Sequence, residues 1–280
     1  MEYYMTDERI AEYLKALENE ERATATIEKY RRALLSFAVF LSGAAVTPEM
    51  IRLWKDDLRA RNYVPSTINT YLAALNGFFR FCGWADCRAR FLKIQRRLFR
   101  DSKRELTRAE YERLVAAAEA AGDRGLALLM ETICSTGIRV SEVQYITVEA
   151  AKNGKTEIAL KGKIRTILLP SKLCRKLLKY AARQKTASGA IFRTKSGKEL
   201  GRRQIWAELK GLCKHAGVEP GKVFPHNLRH LFATVFYRTC RDIAKLADLL
   251  GHSSIETTRI YLVTSGTEHQ REIDRLGLVS

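Results

Sequence analysis

Residues 155–170 read KTEIALKGKIRTILLP. Thr156 to Leu160 and Ile164 to Leu169 are strand-length runs rich in aliphatic and β-branched residues, Lys161-Gly162-Lys163 is a turn between them, and Pro170 closes the second run. The stretch predicts an antiparallel hairpin with basic residues at its tip. It is the one convincing piece of β-structure in a chain whose remaining apolar residues recur at helical spacing. The fold class is therefore mainly α: an N-terminal helical bundle followed by an α+β domain built around this small antiparallel sheet.

Working outward from the hairpin, helices are expected over 171–184, 202–216, 227–238, 241–250 and 254–262 on its C-terminal side. On the other side, Thr107 and Glu110 form a capping-box pair that opens a helix over 107–121, and Leu126 to Cys134 continues as a buried helix broken near Thr136-Gly137. Farther upstream, Ile27, Tyr30, Leu34, Phe37 and Leu41 line one helical face, and Ile68, Tyr71, Leu72, Leu75, Phe78 and Phe79 line another. Thr47-Pro48-Glu49 signals the start of a helix running to about residue 61. With a first helix over 7–18, the N-terminal ninety or so residues make a bundle of four or five helices. Domains are expected at 1–95 and 107–280, joined by a linker at 96–106.

The chain of 280 residues carries 49 Lys and Arg against 31 Asp and Glu, a formal charge of +18. Such an excess calls for a polyanionic partner. A membrane is not expected to be that partner, because no apolar run reaches the length of a transmembrane helix. MEYYMTDERI lacks the basic start and apolar core of a signal peptide, so a cytoplasmic protein is expected. Cys82, Cys87, Cys134, Cys174, Cys213 and Cys240 form no C-x-x-C pair and read as reduced, mostly buried thiols. From Arg88 to Arg104, eight Lys or Arg stand against Asp101 alone. That segment is either a solvated connector or a basic strap along DNA phosphates, in which Arg96, Arg97, Arg100, Lys103 and Arg104 would make the contacts.

Three polar clusters are hard to explain by packing. In Thr136-Gly137-Ile138-Arg139-Val140-Ser141-Glu142, Arg139 needs an anionic partner, and Glu142, three residues on, is one that packing alone would supply. In Pro225-His226-Asn227-Leu228-Arg229-His230, His226 and Arg229 share a helix face if Pro225 opens the helix. In Leu249-Leu250-Gly251-His252, the histidine is followed nine residues later by Tyr261. Taken singly, each His and Tyr reads as structural. Taken together they suit phosphoryl transfer, where catalysis is positioning plus charge neutralisation. Two guanidinium forks can hold both non-bridging oxygens, two histidines can hydrogen-bond the phosphate and move the phenolic proton, and a hairpin lysine such as Lys161 can protonate the departing sugar oxygen. A phenol is a competent nucleophile whose phosphate ester keeps the energy of the bond it replaces, so no nucleotide, metal or other cofactor is expected.

With TGIRVSE, KGKIR, HNLRH, LGH and IYL in this order, the chain resembles the tyrosine recombinases, the phage-integrase and Xer-type enzymes. The resemblance spans nearly the whole chain and is most specific in the second half. It implies a SAM-like core-binding domain ahead of the catalytic domain, with the two domains on opposite sides of double-stranded DNA. It implies that Tyr261 attacks the scissile phosphate to form a 3′-phosphotyrosyl link, that Arg139 and Arg229 clamp that phosphate, that Lys161 is the general acid with Lys163 as its rival, that His226 accepts a proton and that His252 supports. Glu142 would orient Arg139, and His230 would pack beneath the site. A homotetramer on recombining sites, with a monomer or weak dimer without DNA, is also implied. The tail from Thr267, with Ile273, Leu276, Leu278 and Val279, would dock on a neighbouring copy or pack on its own domain.

Other classes fit less well. His226 and His230 have zinc-binding spacing, but position 227 is Asn and position 229 is Arg, so the catalytic Glu of a zinc hydrolase is missing and a cation stands between the ligands. A non-catalytic DNA-binding protein would share the charge and the helices, though it would not need Tyr261, Lys161 and the arginine pair together. A type IB topoisomerase shares the chemistry and is the nearest enzymatic alternative.

Overall fold

The computed structural model describes residues 2–94, 104–160, 163–194, 196–261 and 274–276. It divides into two compact units, Met1–Arg96 and Arg97–Ser280.

The first unit is a four-helix bundle: α1 (Asp7–Asn19), α2 (Thr24–Leu41), α3 (Pro48–Ala60) and α4 (Pro65–Phe81). Thr6 and Thr47 cap α1 and α3 through side-chain oxygens that accept from the N–H groups of Arg9 and Met50, and Pro48 and Pro65 occupy first turns, where no donor is missed. Leu34, Phe37, Trp54, Leu58, Leu72, Leu75 and Phe78 are fully buried at the centre. The Phe37 and Trp54 rings lie 4.8 Å apart. Two asparagines one heptad apart on α4 then fix the chain as it leaves the bundle. Asn69 donates to the Leu92 carbonyl and accepts from its N–H, and Asn76 does the same with Ala89. Each amide thereby takes the place of a strand partner for an otherwise unpaired backbone.

The second unit opens with α5 (Arg108–Ala120) and α6 (Arg124–Thr136), then a 3-10 turn over Val140–Tyr145 and α7 (Val148–Asn153). The capping box of Thr107 and Glu110 is formed. Strands β1 (Lys155–Leu160) and β2 (Lys163–Leu168) pair antiparallel from Lys155 opposite Leu168 to Leu160 opposite Lys163. After them come α8 (Ser171–Arg183), α9 (Arg202–Ala216), α10 (Pro225–Cys240), α11 (Ile243–Leu250) and α12 (Ile255–Thr258), with a 3-10 turn over Arg259–Tyr261. The fold is thus mostly helical with one small antiparallel sheet. Among the described residues no helix is long and apolar enough to cross a membrane. All six cysteines are free; Cys87, Cys174 and Cys213 are buried, Cys82 and Cys134 half-buried and Cys240 exposed.

Two elements depart from the sequence reading. The helix expected over 254–262 is the short α12, capped by Ser254, and it tightens into the 3-10 turn that carries Tyr261. The six residues of α7, between the Thr147 cap and the left-handed Gly154, are too few to show an apolar period.

Helices α6 and α11 both end on a left-handed glycine, Gly137 (φ 64°) and Gly251 (φ 63°). At each, close packing adds to the backbone requirement. A Cβ on Gly137 would sit 2.4 Å from the Phe232 ring of α10, and one on Gly251 would sit 2.4 Å from Cδ of Arg165. Gly137→Ala is therefore expected to lower stability by about 1–3 kcal/mol, the combined scale of left-handed strain and overpacking, as read from a urea midpoint that shifts without a change of slope.

Candidate active site

The seat of Arg229 explains much of the site. Pro225 opens α10 at its first position, which places His226 and Arg229 one turn apart on a common face. Arg229 is only 2% exposed and has no carboxylate partner among the described residues. Its Nη1 donates to the Gly137 carbonyl at 2.6 Å, and Nη2 donates to the Leu250 carbonyl at 2.8 Å. These carbonyls stand at the C-terminal ends of α6 and α11, where helix acceptors are left over and the helix dipole is negative. One guanidinium thus joins two helix ends and helps offset its own desolvation. Burial, followed by the charge of Arg139, pushes its pKa down to about 10, so it remains a cation at neutral pH.

Glu142 is the buried carboxylate of the site. Its Oε2 accepts from the backbone N–H of Arg139 at 2.7 Å, and its Oε1 accepts from Arg139 Nη1 at 2.9 Å. The ion pair that the spacing allows is therefore made. Even so, 41% of the Arg139 side chain remains accessible, which leaves guanidinium donors for an incoming anion. Glu142 also accepts from Nη1 of Arg165, on β2, at 2.8 Å.

Tyr261 is buried against Ala233, Leu246 and Leu250, with Phe232, Phe236 and Tyr237 around them. Its hydroxyl hydrogen-bonds the Arg229 guanidinium. The Tyr261 ring stacks on His252 at 6.1 Å between centroids and 9° between planes, and lies 4.9 Å from the ring of His230. His252 Nε2 is 3.0 Å from Arg229 Nη2, and its Nδ1 is 2.9 Å from Thr258 Oγ1. A guanidinium can only donate, so Nε2 is the acceptor and the proton of neutral His252 is assigned to Nδ1, donating to Thr258.

Desolvation, then the charges of Arg229, Arg139 and Arg165, push the His252 pKa down from 6.5 to about 4. His226, which lines a cavity of about 320 Å³ together with Arg139, Ser141, Arg202, Trp206 and Arg229, is held below its ordinary value by desolvation and by Arg229 and Arg139. The folded protein thus binds fewer protons than the unfolded chain between pH 6.5 and about 4. The stabilising contribution is complete above pH 6.5 and is lost as the pH falls through that window. Urea midpoints are expected to drop from pH 7 to pH 5, with a smaller drop in His252→Gln.

The structure gathers Arg139, Glu142, His226, Arg229, His230, His252 and Tyr261 into one region of the second unit. Lys161, Arg96, Arg97, Arg100 and Lys103 lie outside the described residues, as does the tail from 267 except for 274–276. Lys163 begins β2. The backbone carbonyl of Arg104 accepts from Nδ2 of Asn227, which also donates to the Lys222 carbonyl. Sequence reasoning missed two members, Arg165 and Thr258. Arg165 shares a strand face with the buried Ile167, but Ile164 and Leu168 make the other face equally apolar in sequence although they are 76% and 59% exposed, so alternation alone could not show which face is inward. The fully buried Thr258 gave no signal in the sequence.

Comparison with known proteins decides the family. The model described as "Phage integrase family" matches residues 104–267, and "Phage integrase, N-terminal SAM-like domain" matches residues 10–86. The chain belongs to the phage integrase family. This integrase is 30% identical to tyrosine recombinase XerA of Pyrococcus furiosus over 98% of the chain and 96% of the relative, and 29% identical to tyrosine recombinase XerC of Roseiflexus castenholzii over 91% and 88%. In fold it is similar to a lambda integrase tetramer bound to a Holliday junction (TM-score 0.76, 18% identity, 93% of this chain and 77% of that one). The Tn1549 transposon integrase in complex with transposon right end DNA is likewise similar in fold (TM-score 0.73, 16% identity, 96% and 99%). The integrase is a tyrosine-type site-specific recombinase.

Proposed function

We propose that this recombinase cleaves and rejoins double-stranded DNA through Tyr261, and the observation that carries the reading is the Tyr261 hydroxyl hydrogen-bonded to Arg229. The phenolic oxygen attacks the scissile phosphorus, its proton passes to His226, and the P–O5′ bond breaks with Lys161 protonating the departing 5′ oxygen. A 3′-phosphotyrosyl ester and a 5′-hydroxyl result. Attack by a 5′-hydroxyl reverses the step and reseals the strand, so one phosphodiester is exchanged for another. Arg139 and Arg229 face the two non-bridging oxygens and favour the transition state over the ground state as charge builds on them. The low pKa of His226 suits a neutral proton acceptor at pH 7.

The DNA-bound integrase and recombinase structures that share this fold support duplex DNA as the partner. The domains on this reading are a core-binding domain at 1–95, a basic linker at 96–106 whose Arg96, Arg97, Arg100, Lys103 and Arg104 follow the phosphates, and a catalytic domain at 107–280. Recombination joins four strands, so the working unit is a homotetramer, as the lambda integrase assembly on a Holliday junction illustrates for that relative. Incubation with nicked duplexes of candidate sites, in which the cleaved fragment diffuses away, tests the reading. An adduct that survives denaturation and forms in EDTA supports it, with binding that weakens steeply in salt. Absence of an adduct on every site that the protein binds specifically contradicts it.

A further inference from the structure

Arg165 is mostly buried where packing alone would favour an aliphatic side chain. It lies opposite Ile158 across the hairpin and is 10% exposed. Its Nη1 donates to Glu142 Oε2 at 2.8 Å, and its Nη2 donates to the Leu249 carbonyl at 2.5 Å. The Nε–H is buried with no partner among the described residues. Its Cδ fills the space that a Cβ on Gly251 would need. A buried guanidinium with one orphaned donor is costly, and a methionine would fill the same volume without that cost.

What the guanidinium does that a methionine cannot do is join three separate stretches. Leu249 and Leu250 offer successive carbonyls at the end of α11; Arg165 takes the first and Arg229 the second. Gly251 and His252 follow directly. Glu142, the other anchor, gives its second oxygen to Arg139. β2 itself begins two residues after Lys161. We infer that Arg165 is a positioning residue: it fixes the rotamer of Glu142, and so the direction of the Arg139 guanidinium, and ties the hairpin to the helix end that seats Arg229 and His252. Arg165 touches no reacting atom. The inference rests on the phosphate-clamp reading of the same site.

The test uses the full chain as wild type, R165M, R165K and E142Q on a nicked suicide duplex, with single-turnover cleavage and DNA affinity measured separately. R165M is expected to cleave about 100-fold more slowly, the scale of a mispositioned reacting group, with affinity unchanged within about threefold. R165K reaches one anchor at a time and recovers part of the rate. R165M/E142Q is no slower than the slower single variant, because both changes release the same guanidinium. On a duplex carrying an uncharged methylphosphonate at the scissile position, where there is less charge for Arg139 to neutralise, the gap between R165M and wild type narrows. A merely structural defect slows both substrates alike. If R165M does not fold, R165K is judged by the same criteria of rate, affinity and substrate. An adduct-forming wild type together with a variant of unchanged rate, or of equal slowing on both substrates, overturns the assignment. A wild type that forms no adduct overturns the underlying reading instead.

Discussion

Tyr261→Phe is expected to bind its DNA site with near-normal affinity and to form no detectable covalent adduct. The substitution deletes one oxygen and keeps the ring, so the packing against Ala233, Leu246 and Leu250 and the stacking on His252 survive. Arg229 loses one acceptor yet keeps the carbonyls of Gly137 and Leu250, and His252 Nε2 remains beside it. Loss of a hydrogen bond to a charged group costs about 1.5–3 kcal/mol at most, and phenylalanine leaves no buried donor of its own unmet. The fold and the DNA surface should therefore persist while the rate vanishes, because the bond to phosphorus has no oxygen from which to form. Gel shift and denaturing gel on the same samples measure the two quantities. An adduct from this variant would assign the nucleophile elsewhere.

The second large effect separates the two arginines of the clamp. Arg229→Ala and Arg139→Ala should each slow cleavage by about 100- to 1,000-fold or more, by analogy with the loss of one preorganised oxyanion donor. Their effects on folding should differ. Removing Arg229 strands the Gly137 and Leu250 carbonyls in a buried place, at about 1–3 kcal/mol for each acceptor left unmet, and opens a cavity between α6, α10 and α11. Removing the half-exposed Arg139 takes one donor from the buried Glu142, which keeps Arg165 and the backbone N–H of residue 139, so it should cost the fold less than removing Arg229. Arg229→Lys keeps the charge but cannot bridge two helix ends, and it should recover stability better than rate. Cleavage at wild-type rates in either alanine variant would contradict the clamp; equal melting temperatures in the two would contradict the seat assigned to Arg229.

What the sequence made legible follows from contiguity. The hairpin, the capped helices and the four-helix bundle are set by neighbours a few residues apart, and TGIRVSE, HNLRH and LGH each carry their polar residues within one or two helical turns. Partners far along the chain were another matter. The carbonyls that hold Arg229 come from backbone 92 and 21 residues away, and backbone acceptors leave no trace in residue identity. Arg165 meets Glu142 across 23 residues and Leu249 across 84, so nothing near it in the strand run Ile164 to Leu169 marks it as part of the site. Thr258 likewise shows its purpose only once α12 presents it to His252 Nδ1. Sequence spacing showed that His226 and Arg229 share a face, but only the fold shows that Tyr261 reaches the same guanidinium.

The most direct measurement is to trap the wild-type protein on a nicked duplex, digest the adduct and locate the bound nucleotide by mass spectrometry. The account predicts that the added phosphonucleotide sits on Tyr261, the only tyrosine in the tryptic peptide spanning residues 260–271. A nucleotide on Tyr237, on a serine or on any residue outside that peptide would contradict it.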